Sequence, residues 1–253
     1  MFAIERRRKI ISLLEEKNSV MVPELSKTFH ITEETIRRDL EKLEKEGLLK
    51  RTHGGAVAAE NTNMELPLKI REVTNTDNKQ AIGIRVAEFI EDGDTIAMDS
   101  STTALQVAKH IKSKKRITVI TNSMNIVYEL ANVKDIAVIS TGGNLRQSSM
   151  GFVGHLTEES IKKYNVDKAI ISCKGVDIGR EVTESNEAEA QVKRTMVEAA
   201  DKVFLLVDST KFNKISFVNM LRFEQIDTIV TDKKLSEEWE QHVASKNIRL
   251  IYC

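Results

Sequence analysis

From Ala3 to Glu16 the apolar residues Ile4, Ile10, Ile11, Leu13 and Leu14 fall mostly on helical spacing with charge on the opposite face, which predicts a first amphipathic helix. Val20-Met21-Val22 reads as a short strand. Pro23 suits a first helical turn, where its missing N–H has no partner to lose, and Leu25 and Phe29 give this second helix its apolar side. His30-Ile31 interrupts it, and Thr32 is placed to cap a third helix. Glu33 and Glu34 in the first turn complement the positive end of the helix dipole, and Ile36, Leu40 and Leu43 form the buried stripe. Gly47 ends that helix. The following LLKRTHGGAV predicts two short strands meeting at a basic tip, where Gly54 and Gly55 permit backbone angles that other residues resist. Three helices and a wing are therefore expected over residues 1–57.

The pattern lapses from Ala58 to Asn63, a small, polar stretch without a period, and MELPLKIREV then runs around Pro67 toward a second region. Residues 58–78 are read as a linker. Across 79–253, short apolar runs alternate with amphipathic helical stretches. The runs at Thr95–Met98, Ile117–Ile120, Ile136–Ile139, Ala169–Ile171, Val203–Val207 and Thr228–Val230 predict strands. Helices are expected at Gln80–Ile90, Thr103–His110, Ser123–Leu130, Leu156–Lys163, Glu187–Ala200 and Ser236–Lys246. Such alternation predicts an α/β fold: an N-terminal winged helix-turn-helix domain, then a larger C-terminal α/β domain with a mostly parallel sheet covered by helices.

Composition narrows the functions open to such a chain. Of its 253 residues 41% are hydrophobic and 30% charged, enough apolar material for a core and too much for a disordered protein. Lys plus Arg equal Asp plus Glu at 38 each, so contact with nucleic acid has to come from local placement of charge. Cys173 and Cys253 are the only cysteines and lack paired spacing, which excludes a disulfide framework or thiolate zinc site and fits a reducing cytosol. The opening MFAIERRRKIISLLEE puts charges where a signal peptide needs an apolar stretch, and no later run is long enough to span a bilayer. A cytoplasmic protein is expected, with no membrane association, no metal and no cofactor.

Two helices joined by a tight turn and followed by a basic hairpin form a winged helix-turn-helix, whose second motif helix enters the major groove of double-stranded DNA. Thr35, Arg37 and Arg38 lie off the Ile36, Leu40, Leu43 stripe and face outward, while Lys50, Arg51 and His53 stand on the wing. An arginine binds guanine in a two-pronged geometry or grips phosphate, and a threonine offers a hydroxyl and a methyl to bases. The bland alternative for Arg37 is an ion pair with Glu33 one turn earlier. His53 has no second ligand at metal-binding spacing. The segment ITEETIRRDLEKLEKEG followed by HGGA resembles the N-terminal domain of the DeoR family of bacterial transcriptional regulators. That resemblance implies a helix-turn-helix from about Val20 to Asp39, with TIRRDL on the recognition helix. Thr32 stands where serine is often found and keeps the hydroxyl cap.

Parallel sheets bind ligands beyond the carboxyl ends of their strands. Five predicted strand ends carry small polar loops: Asp99-Ser100-Ser101-Thr102-Thr103, Thr121-Asn122-Ser123, Thr141-Gly142-Gly143, Cys173-Lys174-Gly175 and Asp208-Ser209-Thr210-Lys211. Hydroxyls beside free backbone N–H groups suit a phosphate, glycine admits close approach, and two lysines can meet phosphate or sugar oxygens. Any one loop is explained as well by helix capping or an ordinary turn. Together they predict a pocket rich in hydroxyls and poor in aromatics, suited to a phosphorylated sugar or polyol. DSSTT, VITNS, TGGNLR, SCKGVD and LLVDSTKF are similar to the effector domain of DeoR-family regulators, which is related in fold to ribose-5-phosphate isomerase. By position the resemblance implies effector contacts at Asp99, Ser100, Ser101, Thr102, Thr103, Asn122, Ser123, Gly142, Gly143, Lys174 and Lys211. Ser101 replaces the glycine common in the family's loop, and its side chain narrows the phosphate site. Glu184 to Glu187 lies near the expected pocket, with acids that can accept bonds from ligand hydroxyls and Ser185 as a helix start.

These readings converge on a DNA-binding transcriptional regulator, a repressor of a sugar or polyol catabolic operon, whose DNA affinity responds to a phosphorylated sugar. A homo-oligomer, dimer or tetramer, is expected, because two DNA readers have to be held in register. One rival is a sugar-phosphate isomerase-like enzyme fused to a DNA-binding domain. Lys174 standing where the related isomerases carry an acid, and REVTESNEAEAQ replacing their glycine-rich loop, count against it. A second rival, a ligand-free chromosome-organising protein, has no need of the polar strand-end loops.

Overall fold

The computed structural model describes residues 2–17, 19–58 and 66–253. In chain order the elements are α1 (Ala3–Lys17), β1 (Ser19–Met21), α2 (Val22–Phe29), α3 (Glu33–Lys45), β2 (Leu49–Thr52), β3 (Gly55–Ala58), α4 (Leu68–Arg71), α5 (Thr76–Ala87), β4 (Thr95–Met98), α6 (Thr102–His110), β5 (Ile117–Thr121), α7 (Met124–Leu130), β6 (Ile136–Ser140), β7 (Asn144–Arg146), β8 (Gly151–Val153), α8 (His155–Ile161), β9 (Val166–Ser172), β10 (Gly175–Asp177), β11 (Glu181–Glu184), α9 (Glu187–Glu198), β12 (Ala200–Leu206), β13 (Val218–Leu221), β14 (Thr228–Thr231), α10 (Glu237–Ser245) and β15 (Arg249–Tyr252). Short 3-10 turns at Ser209–Lys211 and Phe223–Gln225 complete the set. The chain divides into two compact units between Asn75 and Thr76.

In the first unit the helical periodicities become a packed core. Ile10, Ile11 and Leu14 of α1 meet Leu25 and Phe29 of α2 and Ile36, Leu40 and Leu43 of α3, all buried. Each such side chain contributes about 1.5–3 kcal/mol relative to an exposed position. Gly47 takes a left-handed conformation, φ 73°, and Leu48 N–H bonds back to the Leu43 carbonyl, which ends α3 as expected. The wing forms an antiparallel sheet in the order β1-β3-β2. Gly54 and Gly55 do not have positive φ, so the conformational reason expected for them does not hold. Gly55 is required for space instead: a Cβ there lies 1.9 Å from the Val20 carbonyl oxygen across the β1–β3 pair. Gly55→Ala is therefore expected to destabilise this unit by about 1–3 kcal/mol, because the obstruction is backbone and cannot rotate aside. Chemical denaturation of the variant measures it.

Part of the stretch read as a linker folds with this unit. Residues 59–65 lie outside the described residues, but Leu66 is buried with the α1–α3 core and Ile70 packs against it. Ser12 Oγ donates to Asn75 Oδ1 at 3.3 Å.

The second unit carries a seven-stranded sheet in the order β15-β14-β12-β9-β4-β5-β6, and every neighbouring pair in it is parallel. Both faces are buried, so the strands read as apolar runs while their residues alternate between two cores. Ile96, Met98, Ile170, Phe204 and Leu206 pack with Ile82, Val107 and Ile126 of α5, α6 and α7. Ala97, Ala169, Ile171 and Leu205 pack with Ile161, Met196 and Trp239 of α8, α9 and α10. From β4 the chain steps outward to β5 and β6, and β9 then returns to the other side of β4. That reversal puts the switch point of the sheet at the carboxyl ends of β4 and β9, the place where such sheets hold ligands. A hairpin, β7–β8, and a small antiparallel sheet, β10-β11-β13, are additions that the sequence pattern did not foretell.

Candidate functional site

The candidate recognition face is built on α3. Thr32 caps the helix in an extended conformation, accepting from Thr35 N–H, and the two threonine hydroxyls lie 2.9 Å apart. Arg37 and Arg38 are both exposed. Arg37 pairs with Glu33 at 2.6 Å and Arg38 with Glu34 at 3.4 Å, each one turn back along the helix. Exposed pairs of this kind contribute only about 0.3–0.5 kcal/mol, so they orient the guanidiniums at little cost to an exchange for phosphate or base. On the wing Arg51 pairs with Glu44 at 2.8 Å, and Lys50 and His53 are exposed.

One residue of this face escaped the sequence reading. Asp39 is buried and accepts from Arg6 Nε at 2.5 Å, with Arg7 Nε at 3.8 Å from its other oxygen. It ties α1 to the helix that carries Arg37 and Arg38. Spacing held the clue: Asp39 falls on the Ile36, Leu40, Leu43 stripe, and a carboxylate there needs a cation buried with it.

At the switch point of the large sheet the loops after β4, β5, β9 and β12 form one polar cluster. Asp99, fully buried, accepts from Ser101 N–H with one oxygen and from Ser172 N–H with the other, both at 3.0 Å, bridging the ends of β4 and β9. Ser101 caps α6 by accepting from Ala104 N–H, and Ser123 caps α7 by accepting from Ile126 N–H. Ser100, Thr102 and Thr103 are buried around the first cap. Asn122 Nδ2 donates to the Phe152 carbonyl of β8, and its Oδ1 has no partner. Thr103 Oγ1 is likewise buried without one. Lys211 Nζ reaches Ser172 Oγ at 3.0 Å and Asp208 Oδ2 at 3.4 Å.

Two further sets of expected residues make contacts of their own. Gly142 and Gly143 follow β6 at the sheet edge with φ of 64° and 115°. Their close neighbour is Thr157 of α8, whose hydroxyl donates to the Gly142 carbonyl at 2.7 Å. Lys174 opens the small antiparallel sheet through its backbone N–H to Thr183, its side chain half-buried.

The centre of the cluster is a buried charge network around Lys193, which sequence reasoning did not name. Lys193 of α9 reaches Glu184 at 2.5 Å, the Ser172 carbonyl at 2.9 Å and Asp99 at 3.3 Å. Burial opposes the Lys193 charge, but Glu184, Asp99 and Glu189 outweigh it and raise its proton affinity above the ordinary lysine range. Burial likewise raises Glu184, and Lys193 with the Ser185 N–H overcomes this, leaving the carboxyl below its usual value. Asp208 is lowered in the same way: its burial is outweighed by Lys211, the Thr210 hydroxyl and Lys79. For Cys173 burial prevails over the nearby Lys211 and Lys193 charges and pushes its thiol up to about 12. Asn186, not Ser185, caps α9, accepting from Glu189 N–H; Ser185 bonds Glu184 instead.

A family model described as the DeoR-like helix-turn-helix domain matches residues 6–62, and one described as the DeoR C terminal sensor domain matches residues 74–233. The chain belongs to the DeoR family. An uncharacterized HTH-type transcriptional regulator of Bacillus subtilis is 41% identical over 99% of this chain and 96% of its own length. The glycerol-3-phosphate regulon repressor of Escherichia coli is 31% identical over 98% of each. Ribose 5-phosphate isomerase A of Methanocaldococcus jannaschii aligns with 55% of this chain and 55% of its own at 16% identity and a TM-score of 0.41. As a DeoR-family member the protein is a DNA-binding transcriptional regulator with a sensor domain. Among the described residues no helix is long and apolar enough to cross a membrane.

Proposed function

We propose that this regulator is a cytoplasmic repressor of a sugar or polyol catabolic operon, released from its operator by a phosphorylated sugar or polyol bound at the β4–β9 switch point. The observation that carries the reading is the convergence of two helix-capping loops, Ser100 to Thr103 and Asn122-Ser123, with Lys211 at one set of strand ends. Free N–H groups at helix starts, hydroxyls and a lysine suit a phosphate monoester. The relative named for the glycerol-3-phosphate regulon supports a phosphorylated polyol as the chemical class. A thermal-shift panel of sugar and polyol phosphates against their unphosphorylated forms tests it, because a ligand that binds only the folded state raises its melting temperature. Equal shifts by both forms count against the phosphate assignment.

In this reading Thr35, Arg37, Arg38 and the wing residues Lys50, Arg51 and His53 contact DNA, and Thr32 holds the helix start. Arg38→Ala is expected to weaken operator binding by about 1–3 kcal/mol if the contact is to a base, or to reduce the salt slope by about one if it is to phosphate. Operator binding unchanged across a salt series sinks that assignment. A homo-oligomer assembled through the second unit holds two readers in register.

The enzymatic alternative lacks support in the chemistry of the cluster. Moving a proton between adjacent carbons needs a carboxylate free to accept it. Glu184 is tied to Lys193 at 2.5 Å and held below its usual range, and the Cys173 thiol remains protonated. Both suit a binding site better than a catalytic one.

A further inference from the structure

The effector-assigned residues at the ends of β4 and β5 are buried in this conformation, except Ser101, which is half-buried. Asp99 and Thr103 are 0% exposed, Asn122 and Ser123 2%, and Ser100 6%, so a ligand meets these five side chains only after something moves, while Ser101 and Lys211 stay partly exposed. The β7–β8 hairpin lies over Ser100 and Asn122. Gly151 is pressed so closely on Ser100 that a Cβ there lies 2.6 Å from the serine side chain. Phe152 N–H bonds the Asn122 carbonyl at 2.7 Å, Asn122 Nδ2 returns a bond to the Phe152 carbonyl at 2.8 Å, and Met124 N–H bonds the Met150 carbonyl at 2.9 Å. At its other edge the hairpin carries an ion pair, Arg146 to Glu189 of α9 at 3.1 Å, with side chains 23% and 5% exposed. Glu189 also acts electrostatically on Lys193, so this clasp adjoins the Lys193, Glu184 and Asp99 network beneath the ligand loops.

We propose that the β7–β8 hairpin is the gate of the effector site and that Arg146, latched to Glu189, transfers its guanidinium to the phosphate of the incoming ligand. This rests on the phosphate reading of the switch-point cluster given above. A guanidinium binds a phosphate monoester by the same two-pronged geometry as a carboxylate, and the dianion carries the greater charge. Glu189 is thus a competitor for Arg146, and the hairpin is anchored either to α9 or to the ligand. The arrangement assigns to Arg146 a specificity role, discrimination between a phosphorylated and a neutral sugar, that the capping loops share but cannot gate.

The experiment uses the full-length chain and three variants, Glu189→Gln, Arg146→Gln and Arg146→Lys, with inorganic phosphate as probe and chloride at matched ionic strength as control. Two quantities are read: hydrogen exchange of the amides in 147–153, and the phosphate midpoint from thermal shift. Glu189→Gln is expected to speed hairpin exchange about tenfold and to lower the phosphate midpoint, since the competitor's charge is gone. Arg146→Gln is expected to speed exchange equally but raise the midpoint about tenfold or more, with Arg146→Lys intermediate because it keeps charge and loses the fork. Unaltered hairpin exchange in both glutamine variants overturns the latch. A phosphate midpoint that Arg146→Gln leaves at the wild-type value overturns the gripping role while the phosphate site itself stands. If inorganic phosphate does not stabilise even the wild type, the underlying effector reading fails, and Arg146's role in it fails too.

Discussion

Lys193→Met is expected to lower the stability of the second unit by about 3–5 kcal/mol, the largest single-residue loss anticipated in this protein. The methionine fills much the same space, so the loss is electrostatic: Glu184 and Asp99 remain buried without the ammonium that faces them at 2.5 and 3.3 Å. The pH dependence carries the sign of that cause. In the native chain Glu184 lies below its ordinary value of 4.5, so its contribution is present above the unfolded pKa and is lost as pH falls through the folded one. Once Lys193 is gone, burial becomes the dominant influence and raises Glu184, so the carboxyl favours folding only while protonated. The deficit of the variant is therefore greatest at neutral pH and shrinks as pH falls toward 4.5. Trp239, the single tryptophan and buried in this unit, reports the unfolding transition directly. Equal deficits at neutral and acid pH dispose of the electrostatic explanation.

The second large effect concerns coupling between ligand and DNA. Lys211→Ala is expected to weaken effector binding from about tenfold to more than a hundredfold, the loss of a charge-assisted bond worth about 1.5–3 kcal/mol, while operator affinity without ligand barely changes. Lys211 is only partly buried, 19% exposed, with the Ser172 hydroxyl at 3.0 Å and Asp208 at 3.4 Å as present partners. If those partners are its whole role, the alanine variant loses a little stability and keeps the native ligand response. Titrating a sugar phosphate into a fixed mixture of protein and operator DNA separates the two cases. A native midpoint in the variant defeats the phosphate assignment, and a native protein whose DNA binding ignores every sugar phosphate undermines ligand control itself.

Much of the architecture is legible in one dimension because it depends on short-range patterns. The stripe Ile36, Leu40, Leu43 and the cap Thr32 define the recognition helix, and the apolar runs at Thr95, Ile117 and Ile136 define neighbouring parallel strands. Residues outside those stripes are exposed by default, so Arg37 and Arg38 follow from the same pattern. The loops Asp99 to Thr103 and Asn122-Ser123 announce themselves as caps, and strand-end position makes them the candidate ligand loops.

What the pattern did not carry is anything that depends on partners distant along the chain. Lys193 reads as an ordinary charge in the middle of a helix, and Glu184 only as an acid near the pocket, yet folding gathers both around Asp99, 94 and 85 positions away along the sequence. Arg146 reads as a loop arginine until the hairpin delivers it to Glu189, and Gly55 reads as a turn glycine until β1 lies against it. Local spacing sets which face of an element is apolar, because that is decided by the side chains within a few turns. Which charges meet, which hydroxyls are buried and which hairpin lies over them is decided only when the sheet reverses its order at β4 and β9 and Lys193 of α9 reaches the end of β9.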